Sequence, residues 1–287
     1  MSEQSKYNGW QRIVLITIPW LIFIGIFQLI GAYLIGLDYG DLNLQKTTEQ
    51  QLIIQFFTFL GTILVVLLFV KYVDKEKFID IGFHLKNRIN EFSSGLLIGL
   101  IIMLLGFGFL ELIDEIQFQR IEFDFKEITF SILLFILVAL AEEIFFRGYI
   151  LRNLMNSYNK YLALLISSVI FCLIHGFNPN IDIIGFTNIF LSGILLGITY
   201  IHTKNLWFPI ALHFSWNFFQ TVVGFNVSGQ NTYSIIEFSK NENTYLNGGS
   251  FGFEGSLLSL FAITIVLVAI FIYYIRKKTK HNNGYHK

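Results

Sequence analysis

Eight runs of apolar residues, most of them near membrane-spanning length, leave this chain almost no choice of solvent. A helix crossing the hydrocarbon core of a bilayer needs about 20 largely apolar residues. Runs of that kind cover Ile13–Leu34, Leu52–Val70, Phe92–Ile113 and Ile128–Phe146. Four more cover Tyr161–Ile174, Ile183–Ile201, Leu206–Val223 and Leu257–Ile275. A transmembrane barrel would need alternating segments of about ten residues, whereas these runs are longer and apolar on every side. In lipid the backbone N–H and C=O groups must pair within the segment, and an apolar helix does that. The expected fold is therefore all-α: a polytopic integral membrane protein of about eight transmembrane helices.

Composition agrees. Only 14% of the 287 residues are charged and 54% are hydrophobic, whereas soluble domains carry about 25% charged residues. The mean hydropathy is +0.60. The net charge is zero, so no bulk electrostatic argument favours a nucleic acid partner. Cys172 is the only cysteine, which excludes an intrachain disulfide and any multi-cysteine metal site. The first apolar run follows Lys6 and Arg12 and is longer than the roughly 7–15 residues of a signal-peptide core, so it reads as a retained helix.

Lys and Arg bias sets the expected orientation. With both termini cytoplasmic, 16 of the 20 Lys and Arg residues fall in inner segments. The basic tail over 276–287, with Arg276, Lys277, Lys278 and Lys280, lies inside. Asp38, Asp41, Glu111, Asp114 and Glu115 fall near outer ends. The whole chain, 1–287, reads as one membrane domain in a cell membrane. Its largest connection, about Gly224–Gly255, is an outer loop rich in Asn, Gly and Ser. The charged inner connection Lys71–Glu91 is expected to form a short surface helix.

Ionisable residues within such spans are costly, about 2.5–3.5 kcal/mol for a central charge on the lowest scales, and usually mark function. The fourth span contains Glu142, Glu143 and Arg147, the fifth His175, and the seventh His213 and Asn217. Glu143 and Arg147 stand four apart and share a helix face, as do His213 and Asn217. Glu142 points about 100° away from Glu143 and can face the bundle interior. Glu142 and His175 come level only if the fourth helix continues through Arg147 and Ile150 toward Asn156, with a tight turn near Ser157–Asn159. Each then lies roughly 24 Å from that turn along antiparallel helices.

Amide hydrolysis at neutral pH needs a base that activates water and donors that hold the tetrahedral oxyanion. Glu142 and His175 can supply the first, and His213 with Asn217 the second. A divalent ion such as Zn2+ held by Glu142, His175 and His213 is an alternative chemistry, although the sequence lacks H-E-x-x-H. Cys172 is expected to be a small buried hydrophobe and Phe171 a packing residue.

In order, Glu-Glu-x-x-x-Arg at 142–147, Phe-x-x-x-His at 171–175 and His-x-x-x-Asn at 213–217 resemble the CPBP (CAAX protease and bacteriocin-processing) family, the group of the type II CAAX prenyl endopeptidase. Gly252-Phe253-Glu254-Gly255 also looks like bacterial members. The resemblance implies a catalytic core over about 128–223 and a cavity open toward the cytoplasm. It makes Glu142 the activating carboxylate and His175 its partner on the water. His213 and Asn217 become oxyanion stabilisers, and Glu143 with Arg147 a supporting pair. The implied partners are the lipid bilayer and a membrane-associated peptide or protein substrate. Two other readings are a catalytically inactive membrane scaffold or regulator of the same fold, and an ion- or proton-coupled transporter. The transporter class often carries inverted repeats, and none is visible in the sequence.

Overall fold

The computed structural model describes residues 6–37 and 46–284, with side chains through Lys277. Among them eight principal helices follow the eight apolar runs: α1 Gly9–Leu34, α2 Thr48–Asp74, α3 Ile89–Leu112 and α4 Phe125–Leu154. They continue as α5 Lys160–His175, α6 Ile183–Thr203, α7 Trp207–Val222 and α8 Leu257–Gly284. Six of the eight are long and apolar enough to cross a membrane, and α5 is a shorter apolar helix. Asp38 and Asp41, expected at an outer end, lie outside the described residues, as do the side chains of Lys278 and Lys280.

Local chemistry sets several helix starts. Thr47 and Gln50 form a reciprocal capping box at α2. Asp124 accepts from the Lys126 and Glu127 amides, Asn159 from Tyr161 and Leu162, and Asp182 from Gly185. Each cap satisfies amides that the first helical turn leaves without a partner. Along α1, α3 and α8 the outward faces carry Ile18, Leu21, Leu97, Leu105, Phe261 and Ile265, all exposed. Such stripes would be unfavourable in water and suit acyl chains.

The connections fall on two opposite faces. The start of α1 and the end of α8 share one face with residues 75–88, 155–159 and 204–206; the other bears the end of α1, the start of α2 and the α3–α4, α5–α6 and α7–α8 connections. These are called the terminal face and the far face. The connection after α2 departs from the expected surface helix. Val70–Asp74 completes α2 as π-helical turns, and Phe78–Ile81 forms a 3-10 turn whose Ile81 is fully buried. The Tyr200 hydroxyl donates to the Ile81 carbonyl at 2.7 Å, and the Leu206 amide to the Gly82 carbonyl at 2.9 Å. This segment therefore caps the bundle rather than lying on its surface.

The far-face connection 223–256 is more ordered than its composition suggests. Strand β2 (Ile236–Ser239) pairs antiparallel with β1 (Gln117–Ile121), matching Phe118 to Phe238 and Ile121 to Ile236 around a bulge. Phe238 packs on Phe107 and Phe225, while Arg120 on β1 bonds Glu237.

Helix α7 is held against α3 through small residues. A Cβ added at Gly95 would stand 2.7 Å from the Phe208 carbonyl oxygen, and one at Gly99 2.7 Å from the Trp216 amide nitrogen. Small residues let membrane helices approach to backbone contact, and Ser215 donates to the Leu96 carbonyl across this seam. Gly99→Val is expected to lower stability by about 1–3 kcal/mol through overpacking, read as earlier thermal unfolding in detergent. Leu97→Val, on the exposed face of the same helix, should leave the transition nearly unchanged.

Candidate active site

Helix α4 runs unbroken from Phe125 to Leu154, with π-helical turns over Ile144–Leu151, and α5 starts at Lys160. The continuation expected past Phe146 is therefore present, and it sets Glu142 and His175 at one level. His175 Nε2 lies 3.5 Å from Glu142 Oε2, and His213 Nε2 lies 3.9 Å from the same oxygen. Wide helical turns of this kind recur at functional sites. Here they begin directly after the two glutamates and bury the entire stretch that carries Arg147.

The two glutamates have separate environments. The Glu143 side chain is fully buried; Glu142 keeps 26% exposure toward a cavity. Glu143 Oε1 accepts from Arg147 at 2.8 Å and from His213 Nδ1 at 2.8 Å. Arg147 also donates to the Gly193 carbonyl at 3.3 Å, and its guanidinium stacks 4.4 Å over the Phe171 ring. The ion pair keeps both charges satisfied in a medium where either alone would be unfavourable.

These bonds fix the histidine tautomers. The Glu143 carboxylate can only accept while it pairs with Arg147, so His213 Nδ1 carries a proton and Nε2 faces the cavity. His175 Nδ1 bonds the Phe171 carbonyl at 2.8 Å, so it too must donate, and its Nε2 points at Glu142. Glu142 Oε2 is itself shielded and makes no hydrogen bond among the described residues. Two oriented imidazole nitrogens and an unpaired carboxylate oxygen thus converge with gaps that a small molecule of water size can bridge.

The cavity is about 330 Å³ and is lined by Glu142, Phe171, His175, His213, Asn217 and Glu254, among others. All four residues expected to be catalytic therefore border it. The supporting pair Glu143–Arg147 lies behind the wall and touches the cavity through His213. Phe171 packs between Phe146, His175 and Arg147, in line with its expected packing role. Cys172 is buried, directed at the Phe186 carbonyl, and is absent from the residues lining the cavity.

Among the described residues no group of three His, Cys, Asp or Glu is disposed to hold a metal ion. The expected set of Glu142, His175 and His213 comes together, with both imidazole Nε2 atoms within 4 Å of Glu142 Oε2.

Glu254 is the site residue that motif spacing missed. It lies in the Phe253–Gly255 turn ahead of α8, and its Oε2 accepts from the Ser228 amide at 3.0 Å and hydroxyl at 2.9 Å. Burial raises its carboxyl above the usual range, opposed by the Ser228 bonds and by the positive potential of His175 and His213. The only sequence signal was the Gly252–Gly255 stretch itself.

A buried acid–imidazole cluster thus borders a cavity inside a polytopic helical bundle. Residues 124–219 match the family described as Rce1-like: Type II CAAX prenyl endopeptidase Rce1-like. The matched stretch is about a third of the chain and contains every motif residue from Glu142 to Asn217. It supports assignment to the CAAX protease (CPBP) family, whose activity at family level is that of a CAAX-type intramembrane endopeptidase acting on a peptide or protein in the membrane. Comparison with curated proteins returned no match.

Arg147→Ala would leave Glu143 buried without its cation, which is expected to cost about 3–5 kcal/mol. Thermal unfolding in detergent should register the loss, and Glu143→Gln added to Arg147→Ala should recover part of it.

Proposed function

We propose that the chain is an endopeptidase that hydrolyses a peptide bond of a membrane-associated protein or peptide with water activated by Glu142 and His175. The observation that carries this reading is Glu142 Oε2, without a hydrogen bond, facing two tautomer-fixed imidazoles at 3.5 and 3.9 Å. A water between Glu142 Oε2 and His175 Nε2 attacks the scissile carbonyl carbon, and its proton passes to Glu142. The carbonyl π electrons move onto oxygen, and the oxyanion is met by the Asn217 amide and by His213. With Nδ1–H committed to Glu143, His213 can donate through Nε2 only when both ring nitrogens carry protons. Collapse of the tetrahedral adduct breaks the C–N bond, and Glu142 returns its proton to the departing amine nitrogen.

Glu143 and Arg147 act through His213 as positioning residues. Burial of the whole group in a low-dielectric bundle strengthens each of these interactions relative to water.

Glu142→Gln keeps shape and removes the base. Cleavage of membrane-associated peptides, compared in cells making the two forms, should fall about 100-fold or more at equal protein level. Unchanged cleavage would eliminate the mechanism. In the water-only scheme a strong chelator should leave the cleavage rate of the purified protein unaltered. Loss on chelation, with recovery on adding Zn2+, would replace the water-only scheme.

A further inference from the structure

The resemblance implies a cavity open to the cytoplasm, and the Lys/Arg bias puts the termini there; the geometry of the cavity does not allow both. Its wall includes Lys46, Asn178, Ser228, Gln230, Thr232 and Glu254, all from far-face connections. None of the lining residues comes from the terminal-face connections 75–88, 155–159 or 204–206.

Toward the terminal face the bundle is closed. Beyond Glu142 come Phe145, Phe146, Arg147, Tyr149 and Leu151, all fully or almost fully buried. Ile81, Tyr200 and Leu206 pack beneath them with no exposed surface. Arg12 then ties Asp74 at 3.2 Å to Asn153 at 3.1 Å across the end of the bundle. A substrate approaching from that face would have to unpack this layer.

The open side carries a built wall. Gln51, Gln55 and Thr58 recur at four- and three-residue spacing along α2 and turn one face of that apolar helix toward the cavity. Gln28 on α1 joins them, donating to Thr58 at 3.2 Å. Gln51 donates at 2.8 Å to the Asn231 carbonyl of the far-face connection, which marks the mouth. Leu134, Phe135 and Val138 of α4, the helix packed beside α2, line the same cavity. From Gln51 to Thr58 the helix rises about 10 Å, the length of about three residues of extended chain. A polar amide stripe beside an apolar one fits an extended polypeptide: side-chain amides can pair with its N–H and C=O groups while its apolar side chains meet α4.

Arg147 is a buried ion-pair partner. With it set aside, 12 Lys and Arg among the described side chains lie on the terminal face and 4 on the far face. The positive-inside bias makes the far face extracytoplasmic.

We infer that the substrate is an extended polypeptide segment on the extracytoplasmic side of the membrane, which enters the cavity from the far face along the Gln51–Gln55–Thr58 wall. The substrate class rests on the endopeptidase reading, whereas the entry route does not.

The test uses the full chain carrying Cys172→Ala, so that each introduced cysteine is alone. Gln55→Cys reports the cavity and Lys77→Cys the terminal face, with Thr58→Cys as a second cavity reporter should Gln55→Cys fail to accumulate. A membrane-impermeant maleimide is applied to right-side-out and inside-out vesicles. The cavity cysteine should label in right-side-out vesicles and Lys77→Cys only in inside-out ones. Labelling of both from the same side, labelling of the cavity cysteine only in inside-out vesicles, or its failure to label in either preparation overturns the route. In a second arm, a peptide cleaved by wild-type but not Glu142→Gln protein is added from outside. At least tenfold faster cleavage in right-side-out than inside-out vesicles supports the substrate class, and the reverse overturns it. Extracytoplasmic labelling, with no peptide found that wild-type protein cleaves and Glu142→Gln protein does not, would leave the route standing and count against the endopeptidase reading.

Discussion

A charge that cannot be left alone organises this molecule. Glu143 and Arg147 sit one helical step apart in a stretch of α4 with no exposed surface, where neither could remain ionised without the other. Their pairing is short-range and local, but it obliges the neighbours to complete it. His213 from α7 takes one side of the Glu143 oxygen, Gly193 of α6 offers a carbonyl to the guanidinium, and Phe171 of α5 covers its face. Four helices are thereby registered at one depth. The imidazoles that border the cavity inherit their orientation from that arrangement.

The cavity exists because the surrounding helices differ in length and in end position. Helix α5 stops at His175, level with the middle of α4, so the α5–α6 connection lies below the far face and leaves a recess. The 223–256 connection descends into it. Gly229 approaches the Pro179 carbonyl so closely that a Cβ there would overlap it, and its positive φ of 77° suits glycine. Asn188 on α6 bonds the Glu254 and Ser256 carbonyls at 2.7 and 2.9 Å, anchoring the other end of that connection. Glu254 reaches the cavity by this route. A segment that looks like a solvated loop is therefore part of the wall.

The same arrangement divides the two glutamates by role. Both are in the same helix turn and differ only in direction, about 100° around the axis. One direction leads to Arg147 and closure, the other to the cavity and to His175. Sequence order does not distinguish them; the packing of α5 and α7 around α4 does.

Sequence alone determined the number and nature of the helices, since apolar length and backbone self-satisfaction in lipid leave no other structure. It also determined the motif residues, because a carboxylate, imidazole or amide inside a membrane span is conspicuous against its neighbours. The level of Glu142 with His175 followed from counting residues to a shared turn. Tertiary structure decided what no local count contains. The burial of Ile81, the pairing of β2 with β1, the entry of Glu254 into the site and the face on which the cavity opens all depend on contacts between segments far apart in the chain. Such contacts leave no period or spacing in the residues that make them.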